Sequence, residues 1–389
     1  MLSRRVPHDL EPNAWARLLE ERRAEGAALL DLTETNPTCV GLGGAGPAEL
    51  AALARAEGTR YEPDPRGRPA AREAVAGYYL ERGAAVPPGD IVLTASTSES
   101  YTHLFRLLAD PGGGFLVPSP SYPLFEPLAA LEGVSLRPYR LAYDGAWHLD
   151  AQSLEEAFAD DVRGAVVVQP NHPTGSCLDE SERVLLETLC ERHGAAIIAD
   201  EVFLDFPRPG RGAPPESLAG EARVPTFVLS GLSKVCGMPQ LKLGWIVVGG
   251  SGAAREEALR GLEWIADLFL SVSTPVQVAL PELLAAGAAF RRRARERSAA
   301  NLARLDGLVT RRPELGVLAA QGGWAAVLRV PRLHSEEEWA LGLLARDVVV
   351  HPGHFYDFSG EGYLVLSLLP ESERFAAGLA RIEEFAAEP

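Results

Sequence analysis

Apolar runs of strand length recur between residues 91 and 249, at Ile91–Thr94, Phe115–Pro118, Ser135–Tyr139, Ala165–Gln169, Ala196–Asp200, Thr226–Ser230 and Trp245–Gly249. Near-continuous apolar runs mark strands covered on both faces, and helical or loop spacers long enough for crossovers separate most of them. The pattern predicts an α/β fold built on a mostly parallel, seven-stranded sheet with helices on both faces. Past Pro275 the pattern changes. Residues 281–308 are rich in Ala, Arg and Glu with helical spacing, and short strand candidates follow at Trp324–Val330 and Tyr363–Leu368. This predicts a second, smaller α+β domain.

The length of 389 residues exceeds one ordinary core, and a hydrophobic content of 47% is ample for two. The formal net charge of −16 argues against a nucleic-acid or anionic-membrane partner, since phosphate surfaces need clustered positive charge. No apolar run is long enough to span a membrane. Cys39, Cys177, Cys190 and Cys236 lack metal-like spacing, and no leading basic-then-apolar segment resembles a secretory signal. A reducing cytoplasm is the expected compartment.

Candidate chemistry centres on two residues. Asp200 ends a buried-strand pattern, which delivers a carboxylate to the sheet's carboxyl edge. Lys234 follows in Ser230-Gly231-Leu232-Ser233-Lys234. An amine can form a Schiff base with an aldehyde cofactor, and a carboxylate can hold a ring nitrogen protonated as an electron sink. Together they suggest pyridoxal 5'-phosphate. A strand-terminal aspartate by itself is often only a cap, and a Ser-Lys pair arises by chance. The stretch Thr94–Ser100 leaves a strand and enters the helical run Tyr101–Leu108, placing amides at a helix N-terminus suited to a phosphate.

The order of Tyr61 with Gly67 and Arg72, Thr94 to Ser98, Pro118 to Tyr122, Asn171 to Gly175, Asp200 to Phe203, and Ser233-Lys234 resembles the class I/II aminotransferases over nearly the whole chain. These are fold type I pyridoxal-phosphate enzymes. The resemblance implies a phosphate cup at Thr97 and Ser98, completed by Ser233 and Lys242, and a ring contact from Tyr122. It implies a homodimer in which Tyr61 reaches the phosphate of the neighbouring subunit. It also implies a large cofactor domain over residues 46–275, and a small domain joining residues 1–45 to 276–389.

Four positions depart from the family's pattern. His172 stands where the family has an asparagine that donates to the cofactor's ring oxygen, with Asn171 displaced by one position; a histidine can donate too. Phe203 replaces a tyrosine and cannot donate. Lys242 stands where arginine commonly meets phosphate. Val365 takes the place of an arginine that clamps the substrate α-carboxylate, leaving Arg4, Arg5, Arg66, Arg208 and Arg211 as candidates for another clamp.

The implied function is transfer of an amino group between an amino acid and a 2-oxo acid, with Lys234 as general acid/base. A lyase, decarboxylase or racemase of the same fold is the alternative, because one carbanion can be partitioned several ways. A non-catalytic cofactor-binding homologue is a further one.

Overall fold

The computed structural model describes residues 3–7, 11–208, 215–220 and 222–387. Its large sheet contains β1 (Ile91–Thr94), β2 (Gly114–Ser119), β3 (Ser135–Tyr143), β4 (Trp147–Leu149), β5 (Val162–Val168), β6 (Ala196–Asp200), β7 (Thr226–Gly231) and β8 (Gly244–Gly249). The spatial order is β1-β8-β7-β6-β5-β2-β3-β4. β8 runs antiparallel to both β1 and β7, and β4 antiparallel to β3; the remaining neighbours pair in parallel. All seven expected strands form. The expected count falls short by one, because β4 is a three-residue edge strand without an apolar run, folded back on the end of β3.

Alternate side chains of these strands enter different cores. Ile91, Leu93, Trp245 and Val247 face one layer of helices, whereas Val92, Ile246 and Val248 face the opposite layer. That double coverage is why the runs read as continuous rather than alternating. The helix Glu180–His193 provides the crossover from β5 to β6. Its start is fixed by a capping box between Asp179 and Glu182, and it ends at Gly194, with φ +63°. The crossover therefore returns the chain so that β6 finishes at Asp200, on the sheet's carboxyl edge.

A second sheet joins β9 (Gly316–Val317), β10 (Ala325–Arg329), β11 (His351–Pro352) and β12 (Tyr363–Ser367) in the all-antiparallel order β9-β10-β12-β11. The N-terminal segment packs here despite its distance in sequence. Leu30 and Asp31 pair in parallel with Val348 and Val349, and Leu32 is buried among Leu305, Leu328, Leu364 and Phe375. The helix Thr274–Arg311 ties the two parts together. Its early residues Ala279, Leu280 and Leu283 enter the large sheet's core, and its late residues Leu305 and Leu308 enter the small one. Among the described residues, no helix is long and apolar enough to cross a membrane.

Candidate active site

Asp200 is buried at the end of β6. Its Oδ2 accepts from the Tyr101 hydroxyl at 3.1 Å and its Oδ1 from the Val202 amide at 3.1 Å. Burial raises the carboxyl to about 6, against the downward pull of these two donors and of Lys234. Tyr101 lies on the helix Thr97–Leu108, one turn after Thr97, and burial beside Asp200 pushes its phenol well above its ordinary value. The hydroxyl is thereby kept as a donor.

Lys234 sits in the short helix Leu232–Val235 that follows β7. Its amine has no hydrogen bond or ion pair among the described residues, and lies 5.5 Å from the Trp324 ring centroid and 5.9 Å from that of Phe203. Desolvation lowers its pKa, with Asp200 and then Glu34 acting in the opposite direction. The turn that delivers it depends on two glycines. A Cβ at Gly231 would stand 2.9 Å from the Gly244 Cα, and one at Gly244 would stand 3.2 Å from the Ser96 carbonyl carbon. β7, β8 and the Ser96 turn can approach one another only without those side chains.

Ser96 caps the helix Thr97–Leu108, its Oγ accepting from the Glu99 amide at 3.2 Å. The amides of Thr97 and Ser98 have no acceptor among the described residues, so the first turn retains unclaimed donors. Lys242 lies across from them, held at φ +50° and ψ +60° after the turn Pro239–Leu241. That left-handed conformation in a residue with a side chain costs about 1 kcal/mol or more, and it is found mainly where the rest of the structure enforces it.

Rings form the other wall. His172 stacks on Phe203 with centroids 5.7 Å apart and meets Tyr122 and Tyr356 edge-on at 5.8 Å and 5.5 Å. Burial, with lesser contributions from Lys234 and His351, lowers the His172 imidazole to about 3, so it is neutral. Tyr356 ends the turn Gly353–Tyr356, between two strands of the second sheet, and its carbonyl accepts from the Ser121 amide at 3.0 Å, bringing that sheet to the cavity's edge.

One cavity of about 260 Å³ is lined by Thr97, Ser98, Tyr122, His172, Asp200, Phe203, Ser233, Lys234 and Lys242, nine of the eleven positions expected from sequence. Asn171 is not among them. Its amide nitrogen donates to the Pro120 carbonyl at 2.9 Å and to Thr174 Oγ1 at 2.8 Å, and its oxygen accepts from Ser121, so the side chain is consumed in holding the loop. Tyr61 is 74% exposed and lines a separate surface depression with His103 and Leu270, away from this chain's own cavity. Of the candidate clamps, Arg5 reaches the Leu131 carbonyl, Arg66 pairs with Glu263 and Arg208 donates to the Ala325 carbonyl. Arg4 lies in the exposed N-terminal segment, and Arg211 lies outside the described residues.

Sequence reasoning missed Thr35, Tyr101 and Gly244 among the lining residues. Tyr101 was findable, being four residues beyond Thr97 and so on the same helix face. Thr35 carries no local signal, because it arrives from the N-terminal arm. Cys236 is buried behind this region, its thiol pushed up to about 12 by burial, which makes it space-filling and unreactive.

Pyridoxal phosphate fits this donor set. Unclaimed helix amides, hydroxyls and an ammonium suit a phosphate; a buried carboxylate suits a protonated ring nitrogen; an unpartnered amine suits an aldehyde.

Residues 44–375 match the family described as aminotransferase class I and II. The chain is 29% identical over 214 residues to the tyrosine aminotransferase of Mus musculus, covering 55% of this chain and 47% of that protein. It is 29% identical over 237 residues to the S-alkyl-thiohydroximate lyase SUR1 of Arabidopsis thaliana, covering 60% and 50%. The chain thus spans about half the length of the curated relatives it matches. Among solved structures, a single mutant of Thermus thermophilus aspartate aminotransferase superposes with a TM-score of 0.85 at 23% identity, covering 99% of each chain. That likeness carries the fold, which is fold type I.

Proposed function

We propose, from the premise that this chain belongs to the class I and II aminotransferase family, that it moves an amino group between an amino acid and a 2-oxo acid with pyridoxal phosphate held in this cavity. The observation that carries the proposal is the meeting of an unpartnered amine of lowered pKa, Lys234, with a buried carboxylate, Asp200, in one cavity beside a helix N-terminus.

Pyridoxal phosphate, when bound, supplies an aldehyde carbon that takes up nitrogen and a protonated ring that accepts the electron pair left at the substrate carbon. Thr97, Ser98, Ser233 and Lys242 bind the phosphate, through helix amides, hydroxyls and one ammonium. Asp200, ionised, holds the proton on the ring nitrogen, and Tyr101 keeps that carboxylate oriented. Tyr122, His172 and Phe203 would form an aromatic wall beside the bound ring and keep water from it, and the neutral His172 imidazole could donate to its ring oxygen. Burial lowers the Lys234 pKa, which favours the neutral amine that attachment to an aldehyde requires. Lys234 Nζ would hold the cofactor's aldehyde carbon and, when free, would carry the proton to and from the substrate carbon.

The protein works as a homodimer in which Tyr61 serves the partner's phosphate site; its exposure, and its place outside the lining of its own chain's cavity, support this. Four unpaired cysteines support a reducing, cytoplasmic setting. Residues 46–275 form the cofactor domain, and residues 1–45 with 276–389 the small domain, the helix Thr274–Arg311 serving as their joint.

The relative named as an S-alkyl-thiohydroximate lyase supports lyase chemistry as a second reading. Mixing the holoenzyme with single amino acids decides between them. Transamination converts the cofactor stoichiometrically to its amine form with release of an oxo acid, whereas a lyase regenerates the aldehyde form and releases ammonia or a thiol.

A further inference from the structure

The charges of the cavity are already committed. Among the described residues that line it, Asp200, Lys234 and Lys242 are the acidic and basic side chains other than His172. The functional reading assigns them to the ring nitrogen, the aldehyde and the phosphate. No arginine lines the cavity among the described residues, and Glu34 lies near enough to act on Lys234, which adds negative rather than positive potential. The wall left for a substrate is His172, Phe203 and Tyr122, with Tyr356 behind it. Behind Tyr356, Val365 is buried against Ala325.

A carboxylate placed against that wall would lose its hydration without gaining a cation, and an isolated buried carboxylate costs several kcal/mol. Recruiting His172 as the cation is no remedy. Its imidazole sits at about 3, so protonating it at neutral pH would consume most of the attraction it returned.

We infer that the amino compound selected by this site bears no carboxylate on the carbon that carries its nitrogen: it is a primary amine whose other substituent is uncharged, with the matching aldehyde or ketone as product. The inference rests on the transaminase reading and narrows it. An amino acid still enters, but as the poorer of the two half-reactions, since its carboxylate finds no partner. In the favoured half-reaction the amine's C–N bond and one C–H bond on the same carbon break. The proton passes to Lys234 Nζ and from it to the cofactor's aldehyde carbon, where it and the electron pair form the new C–H bond; nitrogen stays with the cofactor, and one water supplies the carbonyl oxygen of the product. The reverse half-reaction with an oxo acid restores the starting state, so no external oxidant enters.

The test uses holoenzyme and two pairs of probes that differ in the carboxylate. Stopped-flow absorbance follows discharge of the cofactor by 2-phenylethylamine and by L-phenylalanine. Calorimetry measures binding of 3-phenylpropanamide and 3-phenylpropanoate, which cannot react. We expect the amine to react with a second-order constant at least 10-fold above that of phenylalanine, and the amide to bind at least 10-fold more tightly than the carboxylate. Equal or reversed ranking in either pair overturns the inference, and is what a guanidinium brought by a second subunit would produce. If neither phenylethylamine nor phenylalanine discharges a cofactor that borohydride still fixes to Lys234, the transaminase reading fails instead. The binding pair then decides the question of charge alone.

Discussion

The Tyr101 hydroxyl donates to Asp200 Oδ2 at 3.1 Å, joining a helix that opens at Thr97 and Ser98 to the strand that ends in the buried carboxylate. One helix therefore sets both the unclaimed amides at Thr97 and Ser98 and the orientation of the carboxylate proposed to face a ring nitrogen. The spacing between the two ends of a bound cofactor is built into that helix rather than into loops.

Removing the Tyr101 hydroxyl tests this link. In Tyr101→Phe, Asp200 loses a donor that lowers its pKa, so its carboxyl rises further above 6. Cofactor affinity, which requires the ionised carboxylate, falls as pH drops through that value. A lost hydrogen bond to a charged group moves the acid limb up by about 1 pH unit. Cofactor dissociation constants measured from pH 5 to 9 check the shift, and an unmoved limb would show that the contact is incidental.

Asp200→Asn separates chemistry from stability. The folded carboxyl is raised to about 6, so above that pH the apoprotein buries a charge that the unfolded chain solvates; the penalty disappears as pH falls toward the unfolded value near 4. The variant is expected to stabilise the apoprotein by about 2–3 kcal/mol at pH 8, with the gain shrinking toward pH 4. Turnover falls sharply at the same time, because an amide cannot hold the ring proton. Thermal melts of the apoproteins at several pH values, beside activity of the reconstituted forms, provide the readout.

Lys234→Ala is expected to leave the fold intact, since the amine makes no hydrogen bond or ion pair among the described residues and its burial is a cost. Borohydride reduction followed by mass spectrometry finds the cofactor attached to the native protein and absent from the variant. Turnover drops by about 10³-fold or more, in line with loss of a nucleophile that is also the proton carrier. A variant that retains covalent cofactor would remove Lys234 from its assigned role.

The shared-site dimer is tested by mixing Lys234→Ala with Tyr61→Ala protein. Each homodimer carries two defective sites. A hybrid carries one site with both defects and one with neither, so random exchange restores about one quarter of native sites. Native mass spectrometry verifies the exchange. No recovered activity in a mixture shown to contain hybrids would mean that Tyr61 acts elsewhere.

Local pattern was enough to determine the seven principal strands, the change of character after Pro275, and the position of Asp200 at the end of a doubly buried run. Each rests on the burial of contiguous residues, which is written directly in their order. The family pattern led to Lys234, the helix-opening Thr97 and Ser98, and the departures at His172, Phe203 and Val365. Tertiary structure alone decided which neighbours face the cavity. Asn171 and His172 are adjacent in sequence, yet the first is consumed by Pro120, Thr174 and Ser121 while the second joins the ring wall. Thr35 reaches the cavity from the N-terminal arm, and Tyr356 reaches its edge from beside the second sheet, through contacts that no local periodicity records. The difference is physical: burial along a strand repeats with the backbone, whereas the direction of a loop side chain depends on which distant donors and acceptors compete for it once the chain has folded.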